Sequence, residues 1–239
     1  MFGGVGTKVL KNPEGTFEKL LIAARYWLLG MAEHDARYFT PLKALEESLL
    51  HHNGLRNGGD PAFIHQLGIF HHIRTLHKHL INPVMVYTLI FLHDYIEDPT
   101  KDPETGVKTY KSPTEVEAMF GAVVCAKVLR LSKEIMGQPN PNYDPAAIWE
   151  DEDCSVAKGG DRVNNVSTMV GVFKLARLEK YVRETVEVFL PGIKISRRKF
   201  PQQEAEYENI KLELVNQLQL IEYIVNNMQA QEAAPASQQ

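Results

Sequence analysis

Asn82–Thr100 reads NPVMVYTLIFLHDYIEDPT, and the reading of this stretch decides the fold. Asn82 before Pro83 is a helix start: the amide side chain can cap, and proline in the first turn loses no intrahelical hydrogen bond. The run Val84–Leu92 is almost wholly apolar, yet far too short to span a bilayer. It predicts a helix over 83–97 that is buried on all sides. At its end the chain sets His93, Asp94, Glu97 and Asp98. Buried imidazole and carboxylate are costly unless something pairs with them. Either this end reaches solvent or a cation waits for it.

The same punctuation recurs outward. Asp60-Pro61, Ser112-Pro113 and Asp144-Pro145 repeat the cap-proline pair, and Ser112-Pro113-Thr114-Glu115 reads as a capping box. Apolar residues recur at spacings of three and four, as in Phe17, Leu20, Leu21, Ala24, Trp27 and Leu28. The expected class is therefore all-α, with helices over 16–36, 41–53, 61–80, 83–97, 113–135, 145–177, 179–190 and 202–228. Thr100–Lys111 and Gly137–Tyr143 read as polar loops. A flexible segment 1–15 precedes a main domain 16–200, followed by a C-terminal helix 201–229. The tail 230–239 is poor in bulky apolar residues and reads as disordered. Tyr207, Ile210, Leu214, Leu218, Ile221 and Val225 form one helical stripe. It reads as a helix packed on its own domain; the alternative is a homo-oligomer formed through this helix.

Composition narrows the function classes. At 239 residues the chain can bury a sizeable core, and a net charge of −4 gives no argument for nucleic acid or an anionic membrane as partner. Two cysteines, Cys125 and Cys154, make no disulfide framework and suit a reducing compartment. The N-terminus lacks the apolar core of a signal peptide. The expectation is a soluble, cytoplasmic protein.

On a helix, His93 and Asp94 lie about 100° apart and lean on one object between helices. Glu97 follows His93 by four and Asp94 by three, and Asp98 follows Asp94 by four. All four can surround one small site at the helix end. A divalent metal would pair the His and Asp and leave two carboxylates to handle protons; the plain alternative is a solvated helix end. Further ligands must come from other helices. His71, His72, His77 and His79 share a polar segment with Arg74 and Lys78, which an exposed face explains. His65, flanked by Ile64 and Leu67, suits an inward position. In KGGDRVNNV, Asp161 and Asn165 share a helical face, and Gly159-Gly160 permit close backbone approach. Asp161 would complete a His, His, Asp, Asp set suited to Mn²⁺, Fe²⁺ or Zn²⁺, or else forms a salt bridge with Lys158 or Arg162.

RNGGDPAFIH, HDYIED and KGGDRVNN, in this order, resemble the hydrolase domain of RelA/SpoT homologues, within the all-helical HD phosphohydrolase superfamily. The similarity runs from about Arg25 to Lys199, takes in SPTEVEAMFG and YVRETVEVFLPGIKISRRK, and is greatest to small alarmone hydrolases. The resemblance implies an HD-type helical bundle with a C-terminal extension. It implies Mn²⁺-dependent hydrolysis of the 3′-pyrophosphate of guanosine penta- or tetraphosphate, giving GTP or GDP plus pyrophosphate, with no synthetase activity. It implies His65, His93, Asp94 and Asp161 as metal ligands and Glu97 and Asp98 as the carboxylates that organise water and move protons. Arg56 would pack on the base, and Asn57, Asn165 and Thr168 would fall where the nucleoside is held.

Departures from the family pattern include Asn57 for lysine, Gln66 for proline, Pro99 for threonine, Gly159-Gly160 for Leu-Ala, and a longer 100–111 loop. They leave open an adenosine alarmone, NADPH 2′-phosphate, a deoxynucleotide or non-catalytic alarmone binding. The cations for the distal phosphate remain to be chosen among Lys101, Lys108, Lys111, Lys158 and Arg162.

Overall fold

The computed structural model describes residues 13–56, 59–102, 104–169 and 172–233. The chain is all-α, with helix over 74% of its length. In order, the helices are α1 (Pro13–His34), α2 (Phe39–His51), α3 (Ile64–Ile73), α4 (Pro83–Leu92), α5 (Pro113–Phe120) and α6 (Ala122–Leu131). They continue as α7 (Pro145–Trp149), α8 (Glu152–Thr168), α9 (Leu175–Glu184), α10 (Leu190–Lys199) and α11 (Glu204–Ala233). Two hairpins interrupt them, β1 (Thr100–Lys101) with β2 (Lys108–Thr109), and β3 (Glu134–Ile135) with β4 (Gln138–Pro139), each antiparallel.

α4 is the central element. Val86, Tyr87, Leu89, Ile90, Phe91 and Leu92 are all fully buried, as a helix apolar all round must be. It packs on α2, α3, α6 and α8. The Asn82 side chain caps it, accepting from the Met85 amide at 3.3 Å. The expected helix 83–97 is nevertheless too long. His93 Nδ1–H donates to the Ile90 carbonyl at 2.9 Å, the group a continuing helix would give to the Asp94 amide. From there the backbone runs in tight turns, with Tyr95 N on Leu92 O and Glu97 N on Asp94 O.

Other boundaries shift for local reasons. The capping box at Ser112 forms, and Asp144 caps α7. The Asp60-Pro61 pair caps nothing, because Pro61 bridges to Leu55 and α3 starts at Ile64. Expected helix 113–135 breaks at Gly121 (φ 89°), and its end becomes β3. Expected helix 145–177 divides into α7, α8 and the start of α9. The stretch left without a helix after 190 forms α10, with Pro191 in its first turn and the Trp149 indole seated on Gly192. α1 starts at Pro13 and α11 runs to Ala233, so three residues of the segment expected to be flexible and four of the expected tail are helical. The rest of those two segments lies outside the described residues.

The α11 stripe Tyr207, Ile210, Leu214, Leu218, Ile221 and Val225 is buried within its own chain, where α11 packs on α8, α9 and α10. The residues on which an oligomer reading rested therefore face inward. Gly159 allows this packing, since a Cβ there would press on Ile210; Gly160 likewise lets α8 approach α3, where a Cβ would meet Ile69 and Ile73. No described helix is long and apolar enough to cross a membrane.

One residue of α11 conflicts with its surroundings. Glu206 is fully buried, and neither carboxylate oxygen has a hydrogen-bond partner among the described residues. Burial raises its pKa from 4.5 to about 8. The folded chain then holds a proton that the unfolded chain gives up near 4.5. The stability this protects is complete below that pH and is lost as pH rises through about 8. Glu206→Gln fixes the neutral state. It is expected to add about 1–3 kcal/mol at pH 8–9 and almost nothing at pH 5. Melting temperatures at the two pH values check this; an equal change at both would show that Glu206 is not the proton-holding group.

Candidate metal centre and substrate cleft

Three elements converge on one point. α3 brings His65, the turns after α4 bring His93 and Asp94, and α8 brings Asp161. Ligand atoms of His65, His93 and Asp94 all lie within 4.8 Å of one another. Asp161 Oδ1 joins them, 3.1 Å from His65 Nε2 and 3.8 Å from His93 Nε2. Asp94 Oδ2 lies 2.9 Å from His93 Nε2 and 3.9 Å from His65 Nε2.

The second nitrogen of each ring settles what the first offers. His65 Nδ1–H donates to Asn164 Oδ1 at 2.6 Å, and His93 Nδ1–H donates to the Ile90 carbonyl. Each ring therefore turns its Nε2 toward carboxylate oxygens, and in the neutral form that Nε2 offers a lone pair, the arrangement that outer partners impose on metal-binding histidines. His93 Nε2 is buried and makes no hydrogen bond. Lone pairs so close repel unless positive charge sits among them. Burial lowers the His93 pKa, but Asp94 and Asp161 outweigh it and raise it to about 9, so without a metal a proton on Nε2 supplies that positive charge. Burial would raise the Asp94 and Asp161 carboxyls; His93 beside the first and Lys158 beside the second hold both below their ordinary values. Lys158 Nζ pairs with the outer oxygen of Asp161 at 3.0 Å. The donor set, the orphaned Nε2 and the convergent carboxylates fit a divalent metal ion. A Cβ on Gly68 would meet Asn164 Nδ2, so Gly68 leaves room for the residue that orients His65.

Glu97 and Asp98 line a cavity of about 540 Å³ that opens on this cluster. Burial raises the Glu97 pKa to about 7, with the Asp94 charge adding to it, while Lys158 and two backbone amides oppose. Those amides belong to Lys133 and Glu134 at the start of the β3–β4 hairpin and bind Glu97 Oε1. The other oxygen is left to carry a proton. Asp98 rises to about 6 through burial and the Asp94 charge, against His93 and Arg56. Its backbone is held from α2: His51 Nε2–H donates to the Asp98 carbonyl at 2.7 Å.

Of the five cations considered from sequence, Lys158 and Arg162 line the cleft, whereas Lys101, Lys108 and Lys111 do not. Asp161 pairs with Lys158 as well as facing the histidines, whereas Arg162 pairs with Glu184 at 2.9 Å and lies over the Phe189 ring, two residues that line the same cleft. Lys133 lines the cleft although the sequence reading passed over it. So does His52, kept neutral by burial that lowers its pKa to about 4. His71, His72 and His77 bind Leu20 O, Asn209 and Tyr87, away from the cluster.

A second cavity of about 360 Å³ adjoins the first and shares Arg56, Asn165, Arg177 and Tyr181 with it. Thr168, Ile64, Val172 and Phe173 also line it. Arg56 Nη2 donates to Asn165 Oδ1 at 3.2 Å, and Asn165 Nδ2 donates to Asp161 Oδ1 at 2.5 Å. Three of the four expected base and nucleoside contacts, Arg56, Asn165 and Thr168, thus share this second cavity; the fourth, Asn57, lies outside the described residues. The site is a His/Asp cluster that could hold a metal ion, beside two carboxyls with raised pKa values and joined to a partly apolar pocket. Comparison with protein-family models finds no match for this chain, and comparison with curated proteins finds none either.

Proposed function

We propose that this chain is a Mn²⁺-dependent hydrolase of the 3′-pyrophosphate of guanosine penta- or tetraphosphate. The observation that carries the reading is the placement of Glu97 and Asp98, with raised pKa values, beside a His65–His93–Asp94–Asp161 cluster. The three motifs that resemble the RelA/SpoT hydrolase domain supply these residues. Two imidazoles and two carboxylates suit Mn²⁺. When bound, such an ion neutralises phosphoryl oxygens and lowers the pKa of water.

The chain's own groups then divide the proton work. Asp98, ionised at pH 7, takes a proton from the attacking water. The water oxygen bonds to the phosphorus on the ribose 3′-oxygen, and the bond from that phosphorus to the 3′-oxygen breaks. Glu97, still partly protonated at pH 7, gives its proton to the leaving 3′-oxygen. Lys133 and Lys158 lie in the same cavity and suit the departing pyrophosphate. Arg56, stacking its guanidinium on the purine, suits the second cavity. Asp60 also borders that cavity; a carboxylate accepts from guanine N1–H and N2–H, whereas adenine offers no such pair. This favours guanosine over adenosine alarmones.

A nucleotide panel assayed with Mn²⁺ tests the reading: guanosine tetraphosphate, its adenosine counterpart, NADPH and deoxynucleoside monophosphates. The expected result is pyrophosphate from the guanosine substrate, with little orthophosphate. Orthophosphate alone, or no product from a demonstrably metal-loaded chain, overturns it.

A further inference from the structure

The cations along the cleft are not equally committed. Lys158 is paired with Asp161, Arg162 with Glu184, and Lys133 stands 3.8 Å from Glu184. Arg56 gives a hydrogen bond to Asn165. Arg177, near the start of α9, has neither an ion pair nor a side-chain hydrogen bond among the described residues. Its guanidinium carbon lies 3.9 Å from the Phe173 ring centre and 5.9 Å from that of Tyr181, and the two rings are 5.4 Å apart. A guanidinium stacked by its face keeps its edge N–H groups for a forked acceptor, and stacking holds that fork in place. Arg177 is also one of the four residues common to both cavities. Arg177 is exposed, and an unpaired, stacked guanidinium at this junction suits an anion.

The junction defines which anion. In the proposed reading the scissile phosphate lies at the metal cluster and the base in the partly apolar cavity. The ribose joins those two parts, so it must occupy the junction. A ribose carrying the 3′-pyrophosphate there starts its 5′-phosphates from the same place. Of these two cavities, Lys133, Lys158 and Arg162 line the metal one and not the other, and are placed for the 3′ group instead. We propose that Arg177 binds the 5′-phosphates, which are not cleaved, and so selects nucleotides phosphorylated at both ends of the ribose. The inference rests on the proposed function for the orientation of the substrate.

GDP and guanosine are the probes, because they differ only in the 5′-diphosphate. Their dissociation constants are measured for the full chain and for Arg177→Gln and Arg177→Lys, with Mn²⁺ and again with the metal chelated, so that phosphate held by the metal is separated out. Arg177→Gln is expected to weaken GDP binding about tenfold, the scale of one charge-assisted contact. Guanosine binding should change less than about twofold, and Arg177→Lys should recover part of the GDP loss. Equal weakening of both ligands, no change in either, or no GDP binding by the unaltered chain overturns the assignment. The proposed function fails separately, through the absence of pyrophosphate release, and the GDP–guanosine comparison still decides the role of Arg177.

Discussion

Asp94→Asn is expected to abolish most of the stabilisation that Mn²⁺ gives the chain, and with it the hydrolytic activity. The amide keeps the volume of the carboxylate but brings no charge to a cluster whose other members are two neutral imidazoles and Asp161. Metal bound only to the folded state stabilises by RT ln(1 + [L]/Kd), about 2.7 kcal/mol at a hundredfold excess over Kd. Loss of an anionic ligand should weaken binding by at least the roughly 10–100-fold seen when outer partners of a metal site are changed. At the same ion concentration a hundredfold weaker site contributes only about 0.4 kcal/mol. For a chain of this length the difference is on the order of 5–10 °C in melting temperature. The measurement is the metal-induced shift within each protein, so a change in metal-free stability does not enter. Asp161→Ala should behave alike and also release Lys158 from its ion pair. An unchanged shift in both variants would mean that the ion sits elsewhere or does not bind.

The all-α class was legible because its signals are local. Asn82, Ser112 and Asp144 cap helices where the sequence places caps, and the α11 stripe from Tyr207 to Val225 turns inward as its spacing requires. Helix ends governed by longer-range competition were not legible. Periodicity cannot reveal that His93 takes the Ile90 carbonyl, and that event ends α4 five residues early. The helix expected over 179–190 stops before Pro191, but that proline sits in the first turn of α10 and Gly192 makes room for Trp149, forty-three positions earlier. The β3–β4 hairpin turns on Met136, a residue other than glycine with φ 53°, followed by Gly137; no Asn-Gly pair announces it.

The candidate site divides in the same way. The residues that meet at the cluster come from compact motifs, so the sequence could nominate them. Those that orient them do not. Asn164 was passed over for its neighbour Asn165, although it is Asn164 that holds His65. Choosing cations by nearness in sequence failed because Lys101 and Lys108 go with the β1–β2 hairpin, outside the cleft lining, whereas Lys133 arrives on a separate hairpin that also binds Glu97. The tight turns after Leu92 serve the site better than the expected helix. They place His93 and Asp94 at the cluster and pass Glu97 across to the β3 amides, so the candidate ligands and the candidate proton-carrying carboxyl have different supports.

That separation predicts that Glu97→Gln and Asp98→Asn retain the metal and the fold and still lose the reaction. Each amide fills the same space but can neither accept nor deliver the required proton. The rate should fall by on the order of 10²–10⁴-fold, the range for a positioned acid–base group. The two should be distinguishable by pH. With Asp98 at about 6 and Glu97 at about 7, activity of the unaltered chain should fall toward acid as Asp98 gains a proton and toward alkali as Glu97 loses one. The residual activity of Glu97→Gln should keep the acid limb and lose the alkaline one; Asp98→Asn should do the reverse. The amide introduced by Glu97→Gln also keeps a carbonyl oxygen for the Lys133 and Glu134 backbone N–H groups, so the hairpin should stay docked and the melting temperature should hold. Metal content, melting temperature and kcat across pH 5–9 on the same preparations check all of this. Near-full kcat in both variants with metal bound would reduce Glu97 and Asp98 to a structural bracket and a solvated helix end. Identical pH profiles would mean that the acid and base roles are assigned to the wrong groups.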